Sequence, residues 1–317
     1  MTFRSVPALF VITFLAPLVA MAGAVQPAVS GLDAVRAAYD AGHYDDAARM
    51  LKEAADRGEA EAESWLGIMY AHGRGVPQDE REAVRWYLKA AAQGEAAAQN
   101  NLGYAYLTGR GVARSEGQAF RWFAAATRPA ADQYLTGIAW TNLGNLYLHG
   151  RGVRKNESEA VACYRKAADL GVPEAQNSLA YMVEHGIGTA RDEAGAARWY
   201  RKAADQGDRF AEQNLGVMYE AGRGVMRKYD EAFAWYSKAA ADGDAHAQYR
   251  LGRAFERGLG TAADPVEACR WYLLAAAHGH KRAVESVDRL STVLTPDQLA
   301  EARRRAAAPQ AAAGAKP

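Results

Sequence analysis

The sequence predicts an all-α protein, a right-handed α/α solenoid of stacked helix hairpins with a repeat of 36 residues. Three observations predict this fold class. A Leu-Gly pair recurs along the chain, a Gly-x-Gly turn follows each pair, and an aromatic pair stands about ten residues after the turn. The apolar residues on both sides of the turn have helical spacing, so each repeat has two apolar stripes. No single hairpin can bury both stripes, and the hairpins must therefore stack on one another.

The first helix of each repeat is marked by the Leu-Gly pair. In the first repeat, Ala62, Leu66, Met69 and Tyr70 form one apolar stripe at helical spacing. The pairs are Leu66-Gly67, Leu102-Gly103, Leu143-Gly144, Leu215-Gly216 and Leu251-Gly252, with Leu179-Ala180 in the fourth repeat. Glycine inside a helix costs about 1 kcal/mol relative to alanine. A glycine that recurs at this place predicts close approach of the neighbouring helix.

The turn and the second helix complete the repeat. The turns are Gly73/Gly75, Gly109/Gly111, Gly150/Gly152, Gly186/Gly188, Gly222/Gly224 and Gly258/Gly260. They follow helices and lack the third glycine of a dinucleotide-binding loop, so they indicate structural turns. The second helix carries an aromatic pair such as Trp86-Tyr87. Between Ala126 and Gly137 there are five extra residues, which we expect to alter the turn between the second and third repeats.

This pattern resembles the Sel-1-like repeat family, which is related to the tetratricopeptide repeats. The resemblance runs from about Ala60 to Gly279. It implies a solenoid whose concave first-helix face holds partners, and exported relatives resemble adaptors in envelope signalling, polysaccharide export and host interaction. Some exported relatives carry a disulfide in each repeat, and weak β-lactamase activity is attributed to them. Here Cys163 and Cys269 stand at non-equivalent positions, so the cysteine pattern is absent and the hydrolase alternative is disfavoured.

The chain divides into five predicted segments. Residues 1–24 resemble a secretory signal peptide, because Arg4 precedes an apolar stretch that ends in small residues. The other segments are an N-terminal capping hairpin at 25–58, six repeats at 59–280, C-terminal capping helices at 281–307 and a disordered tail at 308–317. The last helix is expected to begin after Thr295, with Pro296 at its first position and Gln298 at its third. We expect the mature protein to be periplasmic or secreted.

The charge balance and the absence of recognisable motifs argue against several classes of function. The chain has 38 basic and 37 acidic side chains, and the signal peptide contains one arginine and no acid. The mature chain is therefore balanced, whereas proteins that bind nucleic acids have a basic excess. His278 and His280 have no third ligand nearby in the sequence, and no catalytic motif is recognisable. We therefore expect a protein that is not an enzyme and has no cofactor, no metal, no nucleic-acid partner and no membrane span.

Two sets of residues are candidates for partner binding. The first set flanks the Leu-Gly pair, away from the core stripe, where asparagine can satisfy both a peptide N–H and a C=O. We call this set the first-helix face: Asn101, Tyr104, Asn142, Asn145, Tyr181, Asn214, Arg250 and Arg253. Because Asn101, Asn142 and Asn214 lie off the stripe, their joint replacement by alanine is expected to change the melting temperature little. The alternative, that the asparagines stabilise the repeat itself, stays open.

The second set consists of arginines in the turns. We call it the arginine edge: Arg74, Arg110, Arg151 and Arg223. Either these are solvated turns whose charge nearby acids partly cancel, or they bind an acidic envelope polymer such as a polysaccharide. The prediction is a non-catalytic scaffold that binds another protein or an extended peptide along the concave face in the cell envelope. Polymer binding by the arginine edge is the alternative, and salt should weaken it more steeply.

Overall fold

The computed structural model describes residues 32–128 and 132–308, and all regular structure in these ranges is helical. The sixteen helices found there are α1 (Asp33–Asp40), α2 (Tyr44–Asp56), α3 (Ala60–His72), α4 (Glu80–Ala92), α5 (Ala96–Thr108), α6 (Glu116–Ala126), α7 (Gln133–His149), α8 (Glu157–Asp169), α9 (Pro173–His185), α10 (Glu193–Ala204), α11 (Arg209–Ala221), α12 (Tyr229–Ala241), α13 (Ala245–Arg257), α14 (Pro265–Ala277), α15 (Lys281–Ser291) and α16 (Pro296–Ala307). The all-α prediction is confirmed. The predicted signal peptide and the predicted tail, except for Ala308, lie outside the described residues.

The helices form two compact units, and the boundary falls between Val172 and Pro173. Each repeat is a hairpin of two packed helices: α3/α4, α5/α6 and α7/α8 in the first unit, and α9/α10, α11/α12 and α13/α14 in the second. Within each unit the second helix of one hairpin packs against the first helix of the next. The predicted stacking of hairpins is therefore present in both units.

The glycine inside the first helix makes room for an aromatic ring of the second helix. A Cβ atom on Gly67 would lie 2.6 Å from the ring of Tyr87, and one on Gly216 would lie 2.6 Å from the ring of Tyr236. These separations are shorter than real Cβ contacts. The predicted close approach is confirmed, and the group that requires it is the second residue of the aromatic pair. Ala180 stands at the same position in the fourth repeat, so one hairpin accommodates the methyl group.

The second glycine of the turn contacts the preceding hairpin. Gly111 and Gly224 have φ of 69° and 63°, in the left-handed region. A Cβ atom at either position would come within 3.0 Å of a backbone carbonyl oxygen, that of Glu80 or Glu193 respectively. The first glycine has a different role, because Gly73 ends α3 in the left-handed conformation. The Gly-x-Gly turn therefore both ends a helix and brings two hairpins together.

The first residues of α16 and α7 can be compared with the sequence predictions. At α16, Thr295 accepts a hydrogen bond from the N–H of Gln298, whose side chain accepts one from Thr295, as predicted. At α7, the cap is Asp132 and the helix has 17 residues, against 13 for α3. The extra residues of the third repeat thus lengthen its first helix by about one turn. The sequence analysis predicted a change in the connecting turn and did not predict this longer helix.

The helices at both ends cover the outermost repeats. In the first unit α1 packs against α2, and α2 packs against α3. In the second unit both α15 and α16 pack against α14, and Leu290, Leu294 and Ala302 are buried there. None of the helices in residues 32–128 and 132–308 is long and apolar enough to cross a membrane.

Candidate partner-binding faces

In the first unit, the first-helix face lies where successive hairpins meet. Its residues there are Asn101, Tyr104, Asn142 and Asn145, and all four are half-buried. Asn142 Nδ2 donates a hydrogen bond of 2.8 Å to Asn100 Oδ1 in the preceding hairpin. The Tyr164 hydroxyl donates a hydrogen bond of 2.6 Å to Asn145 Oδ1. Some of the side-chain amide groups of this face therefore form hydrogen bonds inside the protein. This agrees with the alternative that the asparagines stabilise the repeat itself.

The second unit repeats the arrangement with charged side chains. Its first-helix residues are Tyr181, Asn214, Arg250 and Arg253, and all four are half-buried. Asn214 Nδ2 donates to Asn177 Oδ1 at 3.2 Å, which is the same bond between hairpins as in the first unit. Arg250 and Arg253 lie 2.9 Å and 3.6 Å from the carboxylate of Glu220. The two arginines therefore neutralise an acid of their own unit.

Three glutamates of the second unit form part of this face and were missed by the sequence analysis. They stand at the end of the first helix and recur every 36 residues: Glu184, Glu220 and Glu256. Each accepts a hydrogen bond from a buried tyrosine of its own hairpin, namely Tyr200, Tyr236 and Tyr272. Each also pairs with an arginine of the following hairpin, namely Arg223, Arg250 and Arg289. Their regular spacing was the signal that could have found them.

The corresponding positions of the first unit are apolar. They hold Ala71, Leu107 and Leu148. A shallow cleft opens there between α5 and α7, with Leu107, Phe123 and Leu146 beneath, and it is also lined by Asn142, Asn145, His149 and Arg151. The equivalent cleft in the second unit is lined by Glu220, Arg250 and Arg253. The first-helix face is therefore uncharged in one unit and charged in the other.

Every arginine of the arginine edge contacts the preceding hairpin. The pairs are Arg74 with the Tyr39 hydroxyl, Arg110 with Glu80, Arg151 with Glu116, and Arg223 with Glu184. The three ion pairs have N–O distances of 2.7, 3.1 and 2.7 Å. The guanidinium groups thus hold neighbouring hairpins together, and an acidic polymer would meet charges that already have partners.

The fifth repeat has two acidic side chains at the positions where the fourth repeat has two hydrogen-bonded glutamines. In the fourth repeat, Gln206 Nε2 donates a hydrogen bond of 2.9 Å to Gln176 Oε1 and so joins the end of the second helix to the start of the first. The same positions of the fifth repeat hold Glu212 and Asp242. Burial raises the pKa of Glu212 to about 7, and the negative charge of Asp242 adds to the effect.

The cysteines and histidines show no arrangement for chemistry. Cys163 and Cys269 are free and buried. Burial raises the pKa of Cys163 to about 12, so the thiol stays protonated and is a poor nucleophile. In the part of the chain that the structure describes, no group of three or more His, Cys, Asp or Glu side chains is placed to hold a metal ion. His278 instead contacts Gln248, with 2.8 Å between Nδ1 and Oε1.

Stacked helix hairpins with a half-buried polar face define a helical-repeat protein of the scaffold class. The sequence profile of the Sel1 repeat matches six segments: residues 60–95, 96–128, 141–172, 173–208, 210–244 and 245–280. These segments make up more than half of the chain, which therefore belongs to the Sel1 repeat family. Sel1 repeat proteins generally act as scaffolds for protein–protein interactions, and their fold is that of a non-enzymatic repeat family.

Solved structures support the family assignment. A protective antigen present in uropathogenic Escherichia coli strains, which displays an SLR fold, is 31% identical with a TM-score of 0.73. The match covers 88% of this chain, which spans only 64% of that protein's chain. A Sel1 repeat protein from Oxalobacter formigenes is 30% identical with a TM-score of 0.67, and the match covers 76% of this chain and 95% of that one. Among curated proteins, no significant match is found.

Proposed function

We propose that this protein is a non-catalytic scaffold of the cell envelope that binds another protein or an extended peptide through its first-helix face. Export rests on the layout of residues 1–24. The family's general role supports partner binding, because Sel1 repeats are protein-interaction modules.

The observation that carries the proposal is the half-burial of the first-helix face. Its side chains are neither core nor fully solvated, and four of them line clefts between successive hairpins, namely Asn142 and Asn145 in the first unit and Arg250 and Arg253 in the second. Half-buried polar groups at a concave site provide directional contacts without a large exposed apolar area. The arginine edge is the weaker candidate, because each of its arginines already contacts the preceding hairpin.

Site-specific crosslinking in the native organism tests the proposal. The photoreactive residue p-benzoylphenylalanine replaces Tyr104 in one variant and Tyr181 in another, and a control variant carries it at Leu88 on α4. We expect irradiation to give a discrete protein adduct from Tyr104 or Tyr181 and none from Leu88, which is 40% exposed. The adducts should still form when the sample is irradiated at raised salt, because the proposed contacts are hydrogen bonds and packing, which salt weakens little.

Two outcomes contradict the proposal. Adducts that form from Leu88 but not from the first-helix positions place the partner on the other side of the hairpins. Enzymatic turnover by the purified protein with no partner present contradicts the non-catalytic part.

A further inference from the structure

The helix α15 begins with a histidine where the first helices of several repeats begin with an acid. The N-cap residues of α5, α11 and α13 are Glu95, Asp208 and Asp244, and each side chain accepts a backbone N–H of its own helix. The N-cap of α15 is His280, whose side chain makes no such bond. Because the N-terminus of a helix favours negative and disfavours positive charge, a protonated histidine is destabilising at this position.

The ring of His280 contacts two side chains of α13. It stacks on Tyr249, with 4.2 Å between the ring centroids and 17° between the ring planes. The ring of His246 lies nearly perpendicular to it, with 4.9 Å between the centroids. The Nδ1 atom of His280 is buried and has no hydrogen-bond partner on another described residue. These contacts join the start of α15 to the hairpin of the sixth repeat.

The surroundings of His280 disfavour a positive charge. Burial has the largest effect, followed by the imidazole of His246, and Arg282 on α15 and Arg250 on α13 act in the same direction. A contact with its own backbone and the face of the Tyr249 ring act in the opposite direction. The net result is that the pKa of His280 is lowered to about 4.

We propose that the contact of His280 with α13 is an acid-sensitive switch, in which protonation of this histidine detaches the first turn of α15. The proton places a cation at a helix N-terminus and beside His246. The far end of α15 stays attached, because Arg289 pairs with Glu256 and Leu290 is buried. Since α15 packs against α14, the opening uncovers part of the sixth repeat. This inference does not depend on the proposed function.

The contact weakens on the acid side of neutral pH. His280 has its ordinary pKa of 6.5 when α15 is open and a pKa of about 4 when α15 is closed, so the open form binds the proton more tightly. The closed form is therefore fully favoured above pH 6.5 and loses stability as the pH falls from 6.5 to 4. Between pH 7.5 and pH 5, this linkage shifts the opening equilibrium about ten- to thirtyfold towards the open form.

Hydrogen–deuterium exchange of the full chain, read by mass spectrometry of peptic fragments, tests the proposal. The protection factors of α15 and α8 are compared at pH 7.5 and at pH 5, after correction for the intrinsic exchange rates. Helix α8 lies in the first unit and serves as the internal reference. We expect α15 of the wild type to lose about ten- to thirtyfold in protection at pH 5 relative to α8.

The variant His280→Asn keeps a side chain that can cap the helix and removes the titratable group. We expect the protection of its α15, relative to α8, to change less than about threefold between the two pH values. The matched control is His43→Asn, which changes the exposed histidine at the N-cap of α2. In this control, α15 should respond to acid as it does in the wild type.

An NMR titration of the isotope-labelled wild type gives a second measurement that needs no variant. The imidazole of His280 should take up its proton well below pH 6.5. The inference is wrong if this imidazole titrates at or above pH 6.5, or if α15 of the wild type stays as protected at pH 5 as at pH 7.5 relative to α8. It is also wrong if α15 of His280→Asn loses as much protection in acid as α15 of the wild type.

Discussion

At the scale of single residues, Glu212 has an unusual environment. It is 4% exposed, and its Oε2 has no hydrogen-bond partner among the described residues. The charged groups around it are Asp242, Lys238 and Asp208, and burial also raises the pKa of Asp208 to about 6. Since the pKa of Glu212 is raised to about 7, the folded protein binds its proton more tightly than the unfolded chain does.

The change Glu212→Gln should therefore alter how stability depends on pH. For the wild type, the contribution of Glu212 is most favourable below its ordinary pKa of 4.5 and is lost as pH rises to about 7. The loss corresponds to about 3 kcal/mol. We expect Glu212→Gln to remove this loss, so that the variant melts higher than the wild type at pH 8 but not at pH 4.5. Thermal unfolding at a series of pH values measures the difference.

The control for this experiment is Glu285→Gln, which removes an exposed carboxylate from α15. It shows how much one lost surface charge changes the melting curve. If the melting temperatures of the wild type and of Glu212→Gln differ by the same amount at every pH from 4.5 to 8, the raised pKa of Glu212 is contradicted.

A second prediction concerns the helix glycines. Gly216→Ala places a methyl group 2.6 Å from the ring of Tyr236, and overpacking of this kind costs about 1–3 kcal/mol. The gain in helix propensity, about 1 kcal/mol, offsets part of the cost. Denaturant unfolding should thus show a net loss of stability. Gly117→Ala is the matched control, because it lies in α6 with nothing within 4 Å of its Cβ position, and it should be neutral or stabilising.

At the scale of the helices, the asparagines join successive hairpins. Their position off the apolar stripe predicts little effect on the melting temperature, but the hydrogen bonds from Asn142 to Asn100 and from Asn214 to Asn177 change that expectation. Asn142→Ala should destabilise the protein by about 0.5–1.5 kcal/mol. Asn101→Ala is the comparison, because Asn101 Nδ2 is buried without a partner in the described residues. Calorimetry should give a lower melting temperature for Asn142→Ala than for Asn101→Ala. The reverse order would contradict a structural role for Asn142.

The turn glycines provide a second prediction at this scale. Gly224 and Gly207 both have positive φ, so alanine at either position costs about 1–2 kcal/mol of backbone strain. Only Gly224 also lies against a carbonyl of the preceding hairpin, that of Glu193, whereas Gly207 has nothing within 4 Å. Gly224→Ala should therefore lower the free energy of unfolding by about 1–3 kcal/mol more than Gly207→Ala does. Equal losses in urea unfolding would show that the contact between hairpins contributes nothing.

At the scale of the whole molecule, the proposed export would determine where the scaffold works. The protein recovered from the envelope should begin near Gly23 or Val25 when its intact mass is measured, because small residues follow the apolar stretch. The variant Leu15→Arg interrupts that stretch and should leave a full-length chain in the cytoplasm. A wild type that is found only in the cytoplasm at full length contradicts the proposed location.

The sequence by itself determined the repeat and most of the helices. Periodic leucines, aromatic pairs and turn glycines are local signals, and each recurs, so the same interpretation is tested several times along one chain. Even the start of the last helix was predictable, because the Thr295 cap uses backbone groups only three residues away. The half-burial of the first-helix residues also followed from sequence position, since residues off the apolar stripe are seldom core, whereas their role in binding stays a prediction.

The tertiary structure decided which of those residues have partners. The pairing of Asn142 with Asn100 and of Arg250 with Glu220 joins side chains 42 and 30 positions apart, and no local pattern specifies it. The same holds for the fit of Tyr87 against Gly67, which requires two helices to be in register. Helical periodicity determines which face a side chain occupies, whereas stacking of hairpins determines what it touches. The cleft between α5 and α7 became apparent only once the hairpins were placed side by side.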